Sequence, residues 1–124
     1  MTREDVDRWL ERYVAAWKSY DRAEIGALFS EGAIYRYHPY DEPVIGRDAI
    51  VDSWLEEDRL DTPGSFEAAY KAFALDGDRA VAVGASTYLD DRGAVDRVYD
   101  NVYLLRFDGD GCCSEFTEWF MKRP

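Results

Sequence analysis

Apolar residues in the first 18 positions recur with a helical period. Val6, Trp9, Leu10, Tyr13, Val14 and Trp17 fall on one face with charged residues between them, which predicts an amphipathic helix over residues 3–18. Thr2 and Asp5 have capping-box spacing, and Glu4 and Lys18 suit the two ends of the helix dipole. Asp21 is placed to cap a second, short helix with Ile25, Leu28 and Phe29 as its stripe and Gly32 as its terminator. Ala33–Tyr37 then reads as a strand, followed by a loop from His38 to Gly46 that holds Pro39 and Pro43. A third helix, about Arg47–Arg59, presents Ile50, Val51, Trp54 and Leu55, and Asp61-Thr62-Pro63-Gly64 is a turn.

The pattern then changes period. Runs at 66–75, 79–89, 95–107 and 112–121 are rich in Val, Ala, Tyr, Phe and Leu. Asp76-Gly77-Asp78, Asp90-Asp91-Arg92-Gly93 and Asp108-Gly109-Asp110-Gly111 separate them, which are hairpin signals and predict an antiparallel meander. Strands this long must twist and bend within so small a domain. The expected class is α+β: three N-terminal helices laid on the concave face of a strongly curved, mainly antiparallel sheet, in one domain spanning 1–124.

Composition narrows the partners. The 124 residues carry 26 acidic and 15 basic side chains, for a net charge of −11, and no Lys/Arg cluster. A phosphate backbone or an anionic membrane surface would be repelled, so neither nucleic acid nor membrane is an expected partner. The N-terminus MTREDVDR lacks the features of a signal peptide, and the only two cysteines, Cys112 and Cys113, are adjacent, so a reducing, cytoplasmic setting is expected. One histidine and vicinal cysteines argue against a zinc site, and no cofactor is implied. A small core can use many of the nine Tyr, six Phe and four Trp, but that number suggests a lined cavity or a subunit interface as well.

The motifs Arg12-Tyr13-Val14, Asp21 with Leu28-Phe29, Ala33, Pro39, Gly46-Arg47 with Ile50, and Leu105-Arg106-Phe107-Asp108 followed by Gly111 occur in an order that resembles the cone-shaped NTF2-like fold. The likeness is closest to its SnoaL-like and ketosteroid-isomerase-like enzymes and covers essentially the whole chain. In ketosteroid isomerases a helix-one tyrosine and a protonated late-strand aspartic acid form the oxyanion hole, while an aspartate after the first strand moves the proton. Tyr13 matches the tyrosine. The late-strand acid falls on Tyr103, and the base falls on His38 or Tyr37 according to whether Pro39 or Ala33 anchors the alignment. Both carboxylates are absent from their places, which argues against a steroid isomerase.

The resemblance also sets strand parity. With Tyr103 inward, Tyr99, Asn101, Leu105 and Phe107 face the cavity and Arg106 faces away. Phe116 and Phe120 are likewise placed inside, with Glu118 between them, and Cys113, Glu115, Thr117, Trp119 and Met121 outside. Glu118, flanked by aromatics, would be desolvated and suited to acid–base work. His38 is the only imidazole, with Asp41 as a weaker substitute. The expected catalytic set is therefore His38, Glu118 and Tyr13. Trp9, Trp17, Tyr37, Trp54, Asn101, Tyr103, Phe116 and Phe120 are the expected substrate-binding wall.

Other motifs fail. Asp108-Gly109-Asp110-Gly111 has Trp119 where a calcium loop needs its twelfth-position glutamate, and Gly84-Ala85-Ser86 lacks the glycine flanking a nucleophile elbow. The leading expectation is a SnoaL-like protein binding a small apolar carbonyl or hydroxyl compound. If catalytic, it would be a cofactor-free isomerase, cyclase or dehydratase. The alternative is a non-catalytic ligand-binding or dimeric interaction module, favoured if Tyr35, Tyr37 and Phe66 plug the cone. Epoxide hydrolysis needs an Asp–Arg–Asp relay inside the cone, which the outward parity of Arg106 opposes. A homodimer through the outer sheet face, at Trp119 and Met121, is expected.

Overall fold

The computed structural model describes residues 1–62 and 64–124, so Pro63 of the expected 61–64 turn lies outside the described residues. Helix α1 (Arg3–Ser19) starts at the expected capping box: Thr2 N–H donates to Asp5 at 2.8 Å and Asp5 N–H donates to the Thr2 hydroxyl at 3.1 Å. Its Val6, Trp9, Leu10, Tyr13 and Ala16 are buried, as the helical period requires. Helix α2 (Arg22–Gly26) is capped by Asp21, which accepts from Glu24 N–H at 3.0 Å.

Here the expected boundaries give way. Leu28 and Phe29 do not extend α2: strand β1 (Phe29–Arg36) begins at Phe29 and Gly32 lies within it, four residues ahead of the expected start. The Phe29 ring is fully buried against Trp9, Tyr35 and Trp54, so tertiary packing overrides the local helical spacing. A two-residue strand β2 (Val44–Ile45), unanticipated by the pattern, pairs antiparallel with β1. Helix α3 (Arg47–Trp54) ends five residues earlier than expected, because Glu56 turns to extended backbone and a short 3-10 turn, Glu57–Arg59, follows.

The remaining strands are β3 (Phe66–Asp76), β4 (Arg79–Leu89), β5 (Val95–Phe107) and β6 (Cys113–Lys122). They form the antiparallel meander the turns predicted, within a six-stranded sheet of order β2-β1-β6-β5-β4-β3. The β1–β6 pair is parallel, which makes the sheet mixed. The helices cover one face, and the core lies between that face, α1 and α3. In the β5–β6 turn Asp108 accepts from the backbone N–H groups of Asp110 and Cys112 and from the Ser30 hydroxyl, so its carboxylate is engaged in turn chemistry.

Alternation along β5 buries Asn101, Tyr103, Leu105 and Phe107 and leaves Asp100, Val102 and Leu104 exposed, in the expected parity. On β6 one assignment changes. Cys113, expected outside, is fully buried. The register shifts between Arg106↔Glu115 and Phe107↔Cys113, so Ser114 is an extra residue that flips the parity of everything before it.

Candidate functional site

The open end of the curved sheet holds a cavity of about 350 Å³. That volume is at the lower end of the roughly 300–1,000 Å³ common for small-molecule sites. Its floor comes from α1 and the inward faces of β4, β5 and β6: Tyr13, Ser86, Asn101, Tyr103 and Glu118. Tyr35, Tyr37, Trp54 and Tyr70 wall it, and Trp17, Tyr88, Tyr99 and Phe120 stand around the rest.

Glu118 is opposite Tyr103 in the β5–β6 register. Its Oε2 accepts from Asn101 Nδ2 at 2.9 Å, and Asn101 Oδ1 accepts from the Ser86 hydroxyl at 3.2 Å, so one chain of hydrogen bonds runs across three adjacent strands. No side chain or backbone group among the described residues hydrogen-bonds Oε1. The carboxyl touches solvent only partly, and desolvation by the surrounding protein raises its pKa to about 7 against the single lowering effect of the Asn101 hydrogen bond. Among the described residues no arginine pairs with it.

The tyrosines respond in the opposite functional sense. Burial holds the Tyr13, Tyr35 and Tyr103 hydroxyls well above their usual pKa, and Tyr70 is pushed up to about 12, so all stay protonated donors at neutral pH. Tyr13 is packed as well as cavity-facing: it stacks on Trp9 and Phe116 and meets Tyr103 edge-on at 5.5 Å. Tyr37 hydrogen-bonds Ser53 at 2.7 Å. The Trp54 indole nitrogen and the Tyr70 hydroxyl are buried without a partner among the described residues, a cost of about 1–3 kcal/mol each that only a polar neighbour would relieve.

Gly84 keeps this wall in place. A Cβ there would stand 2.1 Å from the Ala69 carbonyl oxygen and 2.4 Å from the Tyr70 ring, so only glycine lets Tyr70 lie across the strand.

Of the expected site residues, the structure gathers Glu118, Tyr13, Trp17, Tyr37, Trp54, Asn101, Tyr103 and Phe120 around the cavity. Three go elsewhere. Trp9 is core, its Nε1 donating to the Leu28 carbonyl at 3.0 Å. Phe116 is fully buried beneath the wall, stacked on Tyr35 at 4.4 Å. His38 pairs with Asp41 at 2.8 Å and stacks on Tyr40, touching the cavity only through its neighbour Phe120. Physically, the loop closes on itself through that His–Asp contact instead of turning the ring inward. Arg106 faces outward and pairs with Asp78. Tyr35 and Tyr37 line the space without filling it, and Phe66 packs on Trp17 at 4.0 Å.

Sequence reasoning missed Ser86, Tyr70, Arg59, Asp61 and Arg97. Arg97 was within reach, since the two-residue period through Asn101 and Tyr99 arrives at it. Asp61, which accepts from the Trp17 indole at 2.9 Å and from the Tyr20 hydroxyl at 3.3 Å, had no local signal. Among the described residues there is no group of three potential metal ligands, and no helix is long and apolar enough to cross a membrane.

Comparison places this geometry among known folds. The family model of the SnoaL-like domain matches residues 10–115. Similar solved structures include an NTF2-like protein of unknown function from Cytophaga hutchinsonii, with TM-score 0.65 and 15% identity over 93% of this chain and 98% of that one. A proposed ketosteroid isomerase from Kribbella flavida gives TM-score 0.68 and 19% identity over 98% and 81%. A protein of unknown function with a cystatin-like fold from Methylobium petroleophilum gives 0.67 and 16% over 100% and 80%. No curated protein matches the sequence.

Proposed function

This chain belongs to the SnoaL-like domain family, and from that premise we propose that its cavity binds a small, largely apolar carbonyl or hydroxyl compound and moves a proton on it. The observation that carries this reading is Glu118: a carboxyl in an aromatic cavity, poised near neutral pH, with one oxygen held by Asn101 and the other without a hydrogen bond from any described residue. A group titrating near the working pH exists in both forms and can take a proton and return it.

The proton on a carbon beside a carbonyl passes to Glu118, its bonding electrons move to the carbonyl oxygen, and neutral tyrosine hydroxyls donate to that oxygen. Tyr13 and Tyr103 are the nearest candidates for that donation, since they line the same floor and stay protonated. Reprotonation at another carbon would give isomerisation; loss of a β-hydroxyl would give dehydration. His38 has no part in the step, because its ring is committed to Asp41 and Tyr40.

The test is solvent-deuterium exchange at the α-carbon of 2-tetralone, followed by NMR in the presence of the protein. Wild type accelerates exchange, Glu118→Gln loses about 100-fold or more of that acceleration, and His38→Ala stays close to wild type. Acceleration untouched by Glu118→Gln sinks the proposal.

A second reading, an interaction module, draws support from the outer sheet face. Trp119 and Val102 are register partners there, and Leu104 and Met121 on the same two strands are exposed with them. That apolar face suits a homodimer, which is compatible with ligand binding on the opposite side.

A further inference from the structure

Proton transfer at Glu118 gives no task to two cations that line the same cavity. Arg59, in the 3-10 turn after α3, lays its guanidinium over the Tyr37 ring, 3.9 Å from the centroid. Arg97, on β5, lies 4.3 Å above Tyr88 and 6.0 Å from Tyr99. Both are partly exposed, whereas Glu118 is bonded to buried Asn101 and opposite buried Tyr103, so the charges stand nearer solvent than that carboxyl.

Among the described residues each arginine pairs with a carboxylate only from its own stretch of chain. Arg59 Nε donates to Glu56 at 3.2 Å and Arg97 Nη1 to Asp96 at 2.7 Å, and the side chains of both acids are more than half exposed. Pairs of that kind contribute about 0–1 kcal/mol and exchange readily for a better acceptor. Among the described residues the Nη groups of Arg59 have no acceptor at all. The remaining carboxylate at the wall, Asp61, is already engaged by Trp17 and Tyr20. A guanidinium spread on an aromatic face is dehydrated on one side and keeps its fork free at the edge, the arrangement that favours a planar carboxylate.

In a chain of net charge −11 an anionic ligand is repelled at long range, so two arginines at one cavity mouth are a specificity feature and not a consequence of general basicity. We propose that the compound held in this cavity is an organic acid, its flat apolar body among the aromatic side chains and its carboxylate at the Arg59–Arg97 end. This rests on the reading of the cavity as a small-molecule site and adds the charge class of what enters it.

The test uses 2-naphthoic acid and 2-naphthamide, which share shape and differ in charge, in titration calorimetry at low salt and about pH 6.5, where the acid is ionised. The wild type should bind the acid about tenfold or more tightly than the amide. Arg59→Gln with Arg97→Gln should remove that preference, and Arg92→Gln, on the exposed β4–β5 turn, should change the affinity for neither probe. Circular dichroism of each variant shows that the fold is retained, and the corresponding lysine pair should restore part of the preference. Equal binding of acid and amide by the wild type, or a preference that survives in the double variant, overturns this inference and leaves the small-molecule reading standing. Binding of neither probe overturns both.

Discussion

Asn101 Nδ2 donates to Glu118 Oε2 at 2.9 Å from the adjacent strand, and among the described residues it is the only hydrogen bond that steadies the ionised carboxyl. Asn101 is itself held by Ser86 on the next strand, so the orientation of the carboxyl depends on three strands staying in register. Replacing Asn101 with Leu should raise the Glu118 titration midpoint above 7 by about one pH unit, since a hydrogen bond to a charged group is worth about 1.5–3 kcal/mol before water compensates. Carboxyl-carbon NMR across pH 4–9 reads it directly. A midpoint that stays put or falls would show that Asn101 does not stabilise the charge.

Glu118 also makes stability depend on pH in a defined direction. Its pKa rises from 4.5 in the unfolded chain to about 7 in the fold, so between those values the folded state holds the extra proton. Stability therefore falls as pH rises through this window and levels off above it, a contribution of up to about 3 kcal/mol. Glu118→Gln keeps an acceptor for Asn101 and removes the charge. It should be more stable than wild type at pH 8 and equal to it near pH 4, by urea denaturation at both values. A difference that does not change with pH contradicts the burial argument.

Gly84→Ala tests whether the wall is as tightly built as its geometry indicates. The new methyl would meet backbone at Ala69 and Tyr70, where neither can yield cheaply. The expected loss is about 1–3 kcal/mol or more, against almost none for Gly109→Ala, whose Cβ has open space around it. Chemical denaturation midpoints compare the two, and equal midpoints would refute the contact.

The exposed outer face predicts association. Sedimentation of the wild type should give twice the 14.3 kDa chain mass, and Trp119→Lys with Val102→Lys should return it to one chain. A wild type that sediments as a single chain at high micromolar concentration would remove the interface.

Much of this molecule was legible in its residue order because local physics writes it there. The capping box at Thr2 and Asp5, the helical stripe of α1, the Asp/Gly turns and the alternation along β5 all depend on neighbours within a few positions. The inward faces of Tyr103 and Glu118 were expected from resemblance and parity together, while their pairing across β5 and β6 came only from the register. What tertiary structure alone decided depends on residues far apart in the chain: Phe29 becoming strand, the Ser114 bulge that buries Cys113, and His38 closing on Asp41 away from the cavity. Trp9 and Phe116 show the same limit, since inward parity distinguishes face from face but not core from cavity wall. Arg59 reaches the mouth only because α3 stops at Trp54 and the chain turns back over Tyr37. Periodicity specifies which side of an element is apolar, whereas where two elements stop packing and leave room for a ligand is set by contacts between distant parts of the chain.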